Sequence, residues 1–132
     1  MRLIFVCILS IYSITAMSQD FWVPRDSVKG PPRSSSSSFV IENEGFLVAG
    51  LDLDGFKRKM VSYDPDQDDW DNELSLGGIN GSGLNRGAAC GFAIQNKGYV
   101  TLGQGDSNPF FNDLWEYDPI TESWSQKSSF IG

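Results

Sequence analysis

The densest group of side chains that could do chemistry is an acidic run, DPDQDDWDNE, at residues 64–73. Carboxylate oxygens are the ligands that Ca²⁺ prefers, and the first acids alternate as they do in a helix–loop–helix calcium site. However, Asp69 stands where that loop requires glycine, and Ser75 stands where it requires a bidentate glutamate. The run therefore predicts a solvated acidic loop without metal. A weak calcium site formed by Asp66, Asp68 and Asp69 is the alternative.

The chain contains no histidine, which excludes several kinds of catalytic site. Ser-His-Asp and Cys-His catalysis and histidine-ligated zinc or copper all require that residue. The glycine-rich stretch GGINGSGLNRG at residues 77–87 lacks the Gly-Lys-Ser/Thr ending of a phosphate-binding loop. Cys90 lies among small residues in GAACGF, which predicts a buried apolar side chain rather than a reactive thiol. No cofactor is therefore expected.

The remaining candidates for a binding role lie in loops, where function usually resides on a rigid scaffold. The longer loops, residues 51–56, 77–85 and 104–112, are expected on one face. The last of them, QGDSNPFFN, places Phe110 and Phe111 next to Asp106 and Asn108, a combination that suits a protein or sugar ligand. Of the neighbouring pair Phe110 and Phe111, one is expected to be a core residue. The candidate binding residues are Asp52, Asp54, Phe56, Asn85, Asp106, Asn108, Phe110 and Phe111.

The elements that must position these residues occur twice. YDPDQDDW at residues 63–70 returns as YDPITESW at residues 117–124, and FVIENEGFLVAG at residues 39–50 returns as FAIQNKGYVTLG at residues 92–103. The copies are therefore 53 residues apart in the first half of the unit and 54 in the second. A period near fifty residues is typical of a repeat array.

Each copy predicts four short strands and no helix. Asn43 and Asn96 predict tight turns between the first and second strands, because Asn-containing turns tolerate positive φ. A longer loop is expected between the second and third strands. The first strands end at Ile41 and Ile94, the second at Gly50 and Gly103, and the third at Tyr63 and Tyr117, while the fourth begin near Trp70 and Trp124. The acidic run then lies at the end of the strands opposite to the candidate binding loops.

The repeated residues are typical of packing. Alternation along the third strand places Val61 and Tyr63 on one face and Ser62 on the other. Large rings such as Tyr63 suit the space between stacked sheets. Gly50 and Gly103 are expected to leave room for a neighbouring sheet. The repeat thus indicates a packing pattern rather than a catalytic one.

These two copies resemble the kelch repeat family, particularly the kelch-like repeats of secreted bacterial proteins. The matching residues are Arg33, Gly45, Gly50, Tyr63, Asp64, Pro65 and Trp70 in the first copy and Arg86, Gly98, Gly103, Tyr117, Asp118, Pro119 and Trp124 in the second. The second strand ends in a single glycine rather than the doublet of many kelch repeats. The resemblance implies an all-β fold with two four-stranded antiparallel propeller blades, residues 33–85 and 86–132.

Residues 19–32 contain part of a further copy. Gly30 follows Trp22 by the same eight residues that separate Gly78 from Trp70. Residues 21–28 are therefore predicted to form an orphan outer strand, of the kind that completes the last blade of a closed propeller. Two blades and one strand cannot close a ring. The chain is expected to be an N-terminal piece of a longer protein, or to assemble a ring from several chains.

Residues 1–18 are predicted to be a secretory signal peptide. Arg2 gives a positive start, residues 3–14 are apolar apart from two serines, and Ala16 and Ser18 place small residues at alternate positions. The apolar run is shorter than the roughly 20 residues of a membrane-spanning helix. Cleavage after Ser18 would give a secreted or extracytoplasmic chain without a membrane attachment.

The formal net charge of −7 disfavours nucleic acid as a partner, because phosphates would be repelled. The expected function is a secreted scaffold that binds a protein or glycan and has no catalysis of its own. Its other partners would be further blades, in a longer chain or in sister chains. The alternatives are a lectin-like chain of two blades that trimerises into a propeller, and a fragment of a propeller enzyme acting on carbohydrate.

Overall fold

The computed structural model describes residues 21–82, 84–106 and 110–131, and in these ranges the chain is almost entirely β-structure. Sheet 1 consists of β1 (Ser37–Ile41), β2 (Glu44–Asp52), β3 (Gly55–Asp64) and β4 (Asp69–Glu73), and sheet 2 consists of β5 (Cys90–Ile94), β6 (Lys97–Thr101), β7 (Leu114–Asp118) and β8 (Ser123–Lys127). Both sheets are antiparallel, with the strands in chain order. One 3-10 turn, Gly78–Asn80, lies between them. The predicted all-β class with two four-stranded sheets is confirmed.

The predicted turns between the first and second strands are also confirmed. β1 and β2 are joined by a two-residue turn in which the positive φ, +54°, lies at Glu42 and not at Asn43 as expected. The turn between β5 and β6 has Asn96 at φ +59°. The register pairs Phe39 with Phe46 in the first sheet, and the two rings stack with centroids 5.2 Å apart. Equivalent aromatic residues of the second sheet stack at the same spacing.

The longer loop expected after the second strand is wrong for the first copy. β2 and β3 run on to a two-residue turn of Leu53 and Asp54, so Gly50 does not end the strand but lies at a β-bulge within it. The Asp52 carboxylate closes this hairpin by accepting a hydrogen bond from the Asp54 N–H at 2.8 Å and pairing with Lys57 at 2.9 Å. In the second copy, β6 ends at Thr101 and a long connection does follow.

Gly50 and Gly103 serve a different packing role from the one predicted. Both have positive φ, +112° and +100°. A Cβ on Gly50 would lie 2.9 Å from the Ser34 carbonyl oxygen, and one on Gly103 would lie 2.8 Å from that of Gly87. Ser34 and Gly87 belong to the segments that lead into the first strand of the same sheet. The glycines therefore admit a strand of their own sheet, not a neighbouring sheet.

The two sheets pack face to face along a contact that we call the seam, formed mainly by Phe39, Phe46, Gly98 and Tyr117. The Phe39 ring covers Gly98, where a Cβ would overlap it. The Phe46 and Tyr117 ring centroids are 5.7 Å apart, and Tyr117 OH donates to Glu73 Oε2 across the seam at 3.2 Å. The core continues on either side through Ile41, Val48, Ala49, Met60, Leu76 and Val100. Burial of this apolar surface is the main force that holds the sheets together.

Cys90 is exposed, contrary to the prediction of a buried side chain. Its neighbour Gly91 faces sheet 1, since a Cβ there would lie 2.8 Å from the Ser38 carbonyl oxygen. Alternation then turns Cys90, Phe92 and Ile94 to the opposite face. We call this side of sheet 2, with Phe92, Ile94 and Tyr99, the outer face.

Residues 21–28 are not in a β-strand, so the predicted orphan strand is absent from this structure. Asp26 nevertheless holds the segment against the edge of sheet 1, because its carbonyl accepts from Trp70 Nε1 at 3.0 Å and its N–H donates to Asp68 at 3.0 Å. Lys29 pairs with Asp69 at 3.1 Å. The predicted signal peptide, Asn108 and Gly132 lie outside the described residues. Within the part of the chain that is described, no helix is long and apolar enough to cross a membrane.

Candidate functional site

The described candidate binding residues meet at one end of the two sheets, which we call the loop end: residues 51–56, 74–82, 84–85, 102–106 and 110–113. The β2–β3 hairpin of sheet 1 and the long connection of sheet 2 approach each other there, since a Cβ on Gly55 would lie 3.4 Å from Asp106 Oδ2. Asp54, Asn85 and Asp106 are exposed. Phe110 is 79% exposed. These exposed side chains form an acidic and aromatic surface at this end of the sheets. Asn108, another predicted binding residue, is not among the described residues.

Three of the predicted binding residues are occupied by the fold itself. Lys57 neutralises Asp52 and holds the pKa of that carboxyl below its ordinary value, and the Asp52 side chain is only 4% exposed. Phe56 is half-buried beside Gly87, where a Cβ would lie 3.1 Å from its ring. Phe111 is buried, as expected for one of the two phenylalanines. None of these three side chains is presented to a ligand.

A buried ion pair joins Arg86 to Asp113 at the end of the connection between β6 and β7. The sequence analysis did not predict this pair. Arg86 is fully buried and binds Asp113 with two hydrogen bonds of 2.6 and 2.8 Å, while its guanidinium carbon lies 3.7 Å from the centroid of the Phe111 ring. Burial by itself raises the pKa of Asp113, but hydrogen bonds from Arg86 and Trp115 outweigh burial and keep the pKa below its ordinary value. The loop end therefore rests on a rigid, charged support.

The acidic run lies at the opposite end, and its carboxylates have separate partners. Asp64 accepts from the N–H of Asp66 at 2.8 Å, as Asp118 does from that of Ile120 at 3.0 Å, so the aspartate of each Tyr-Asp-Pro motif closes a turn. Asp68 accepts from Tyr63 OH at 2.6 Å, and this bond lowers the pKa of Asp68. Asp66 instead accepts a hydrogen bond from Asn43 Nδ2 at 3.3 Å.

The three acids of the alternative calcium site thus have different partners. Among the described residues, no three potential metal ligands converge. A cavity of about 360 Å³ lies between the turns at this end, and its lining residues are Ile41, Glu42, Asn43, Glu44, Asp64, Asp66, Asn96, Pro119 and Ile120.

A second cavity, of about 510 Å³, adjoins the loop end and is mostly apolar; Pro31, Pro32, Arg33, Ser34, Leu51, Asp52 and Leu53 line it. Of the predicted binding residues only Asp52 belongs to it. Arg33 donates through Nη1 to the carbonyls of Ala49 and Lys59 at 3.4 and 3.2 Å. Its Nη2 is buried, and no residue in the described part of the chain accepts a hydrogen bond from it. The sequence interpretation treated Arg33 only as the start of a repeat.

No protein-family model and no curated protein matches the chain. Among solved structures, 122 chains match it. One of them, described as "Structure of YjhT", aligns with a TM-score of 0.70 and 17% sequence identity over 88% of this chain and 44% of that chain. This chain therefore spans less than half the length of that structure, and the likeness shows that the two share an all-β fold.

Proposed function

We propose that the chain is a segment of a secreted kelch-type β-propeller that binds a protein or glycan ligand and has no catalysis of its own. One repeated hydrogen bond carries the proposal. Trp124 Nε1 donates to the carbonyl of Leu74 at 2.8 Å, and Trp70 Nε1 donates to that of Asp26 at 3.0 Å. Leu74 is the fourth residue after Trp70, and Asp26 is the fourth residue after Trp22.

The repeated bond supports a blade-like position for the N-terminal segment. Residues 22–30 lie against sheet 1 in the same way that the end of β4 and the residues after it lie against sheet 2. In the proposed propeller, residues 19–32 supply the fourth strand of the blade that precedes sheet 1. The segment forms its backbone ladder when the other three strands of that blade are beside it.

The uncovered face of sheet 1 and the outer face of sheet 2 also support the presence of further blades. Each of these faces carries the counterpart of a residue that packs in the seam. Gly98 lies under the Phe39 ring, whereas a Cβ on its counterpart Gly45 would meet no atom within 4 Å. Conversely, Phe92 is the counterpart of Phe39 and lies on the outer face. A blade before sheet 1 would cover Gly45, and a blade after sheet 2 would cover Phe92.

Further blades in a longer chain explain the two uncovered faces better than a trimer of two-blade chains does. In a lectin-like trimer, sheet 2 of a neighbouring copy would dock on sheet 1 with β8 already in place as its fourth strand. Residues 22–30 would then occupy the same position as β8. The solved structure described above also extends well beyond the matched region. A propeller enzyme acting on carbohydrate remains the second alternative, with its catalytic groups in other blades.

The loop end is the proposed ligand-binding surface. Phe110 is the counterpart of Phe56, which packs beside Gly87 of the next sheet, so Phe110 is assigned to contact with a following blade. The residues left for a ligand are Asp54, Asn85 and Asp106, which offer carboxylate and amide groups. Such groups accept hydrogen bonds from sugar hydroxyls or from peptide N–H groups.

A glycan array probed with the fluorescently labelled chain tests this function. We expect saturable binding that Asp106→Ala weakens at least tenfold. The matched control is Asp66→Ala, an exposed aspartate at the opposite end of the sheets, which should leave binding unchanged. Release of reducing sugar from the bound glycans would contradict the proposal and favour the enzyme alternative, while equal losses in both variants would argue against the loop end.

A further inference from the structure

The two arginines that begin the repeats have different surroundings. Arg86 meets the Asp113 carboxylate through both of its terminal nitrogens and the Leu102 carbonyl through Nη1. Arg33 makes the equivalent bond to the carbonyl of Ala49, but among the described residues it forms no ion pair with a carboxylate. The residue at the position of Asp113 in the first copy is Lys59. Arg33 therefore has the same backbone support as Arg86 without the counter-ion.

The missing counter-ion leaves a polar atom unsatisfied. Arg33 Nη2 is buried and has no hydrogen-bond partner among the described residues. A buried donor without a partner costs free energy, and a buried charge costs more unless it is paired. Burial also lowers the pKa of Arg33, with the charge of Asp52 opposing the change. The guanidinium thus has both the free donor and the charge that an anion requires.

Arg33 and Lys59 form a positively charged patch on a protein whose net charge is negative. Among the described residues, no carboxylate lies within ion-pair distance of Arg33 or Lys59. The Lys59 ammonium points towards the same segment, since its Nζ would lie 3.5 Å from a Cβ on Gly30. The charge of Asp52 acts on Arg33, but Lys57 neutralises that carboxylate at 2.9 Å. Arg33 consequently lines the cavity as a cation without an ion pair within the described ranges.

We propose that Arg33 and the cavity of about 510 Å³ beside it form a carboxylate-binding site. The carboxylate lies beside Arg33 as Asp113 lies beside Arg86, and it accepts a charge-assisted hydrogen bond from Nη2, because both hydrogens of Nη1 are donated to the carbonyls of Ala49 and Lys59. It belongs either to a free acid such as an acidic sugar or to an aspartate or glutamate side chain of another polypeptide. The apolar cavity walls, including Pro31 and Leu51, contact the carbon atoms that carry the group. This site lies within sheet 1 and the segment before it, so it does not depend on the propeller proposal.

Thermal melting of the full chain in sodium acetate, against sodium chloride of equal ionic strength, tests the site. We expect acetate to raise Tm by about 5 °C at ten times its Kd, because a ligand that binds only the folded state stabilises it. Arg33→Gln should abolish the rise. Arg58→Gln is the matched control, because Arg58 is satisfied by the carbonyls of Leu76 and Gly78, and its loss should leave the acetate response intact.

Lys59→Asp provides an independent variant that places a carboxylate in the chain itself. It should raise Tm in chloride and remove the acetate response, because the site is then filled from within. This outcome does not require Arg33→Gln to fold. An acetate response that persists in Lys59→Asp, or no response beyond chloride in the unaltered chain, would overturn the proposal.

Two further ligands separate the sources of the carboxylate. Glucuronate represents a free acidic sugar, and the peptide Gly-Asp-Gly with both termini blocked represents a protein side chain. A lower midpoint concentration for glucuronate assigns the site to a free acid, and a lower one for the peptide assigns it to a polypeptide partner. Either result must disappear in Lys59→Asp, and a response that survives there would contradict a site at Arg33.

Discussion

At the scale of single residues, the ion pair of Arg86 and Asp113 lies inside the protein, since Arg86 is fully buried and bound by both carboxylate oxygens. Asp113 also accepts from Trp115 Nε1 at 2.8 Å. Pairs of this kind contribute little net stability relative to apolar residues, but removal of one partner strands the other charge. The pair therefore matters most for fixing the long connection in one conformation.

Asp113→Ala should lower the free energy of unfolding by about 3–5 kcal/mol, because it leaves the Arg86 guanidinium buried without a counter-ion. Urea denaturation of the full chain measures this change. Asp106→Ala, an exposed aspartate in the same connection, is the control and should change stability by less than about 0.5 kcal/mol. Equal effects of the two substitutions would show that Arg86 finds another partner when Asp113 is lost.

The same pair illustrates what the sequence could not reveal. Arg86 was identified from the repeat, but Asp113 lies 27 residues away and has no acidic counterpart in the first copy. Asp52 was predicted to bind a ligand because its residue type and loop position suit that role. Only the fold reveals that Lys57 already neutralises it. Residue type predicts what a side chain can bind, whereas its partner depends on contacts between distant parts of the chain.

At the scale of strands and turns, prediction from the sequence was more successful, because local physics determines these features. The Tyr-Asp-Pro motifs close turns through the aspartate, and Tyr117 packs on Trp124 with ring centroids 5.2 Å apart. The exceptions involve long-range contacts. The β2–β3 hairpin is longer than predicted, and Cys90 faces outwards because Gly91 is needed against sheet 1. Periodicity gives the two faces of a strand, but not which of them is covered.

Glycines at the start of the second strands allow a direct test of the seam. Gly98→Ala should destabilise the chain by about 1–3 kcal/mol, because its Cβ would overlap the Phe39 ring. Gly45→Ala is the matched control, since the same position in sheet 1 has open space within 4 Å and the change should be nearly neutral. Thermal and urea denaturation of both variants measure the difference. A neutral Gly98→Ala would mean that the two sheets do not pack as described.

The N-terminal segment should be released when its main anchor is removed. Trp70→Phe loses the indole N–H that donates to Asp26, so hydrogen exchange of the Asp26 amide, which donates to Asp68, should accelerate at least tenfold. Exchange in β5–β8 should remain unchanged. Trp22→Phe serves as the control because Trp22 is fully exposed. Protection of the Asp26 amide that survives Trp70→Phe would assign the attachment to Asp68 and Lys29 instead.

At the scale of the whole molecule, the two sheets cover each other on one side only. Val40 on sheet 1 and Ile94 on the outer face of sheet 2 are 62% and 54% exposed. Large exposed apolar patches promote association. The proposed propeller requires such patches, since each blade of a repeat array buries its faces against its neighbours. The uncovered faces are thus the feature on which the proposal of further blades can be tested most directly.

The chain alone should therefore associate in solution through these faces. Light scattering after size-exclusion chromatography should give masses above that of one chain, and the double substitution Phe92→Ser, Ile94→Ser should shift the population towards the monomer. Phe92 and Ile94 lie on the outer face, so their loss should reduce association without unfolding the chain. Phe39→Ser is the contrasting variant, because Phe39 is buried in the seam and its loss should unfold the protein. A discrete trimer that the double substitution dissociates would favour the lectin-like assembly. A cooperatively melting monomer of the unaltered chain would show that one seam is sufficient for stability and that the free faces need no partner.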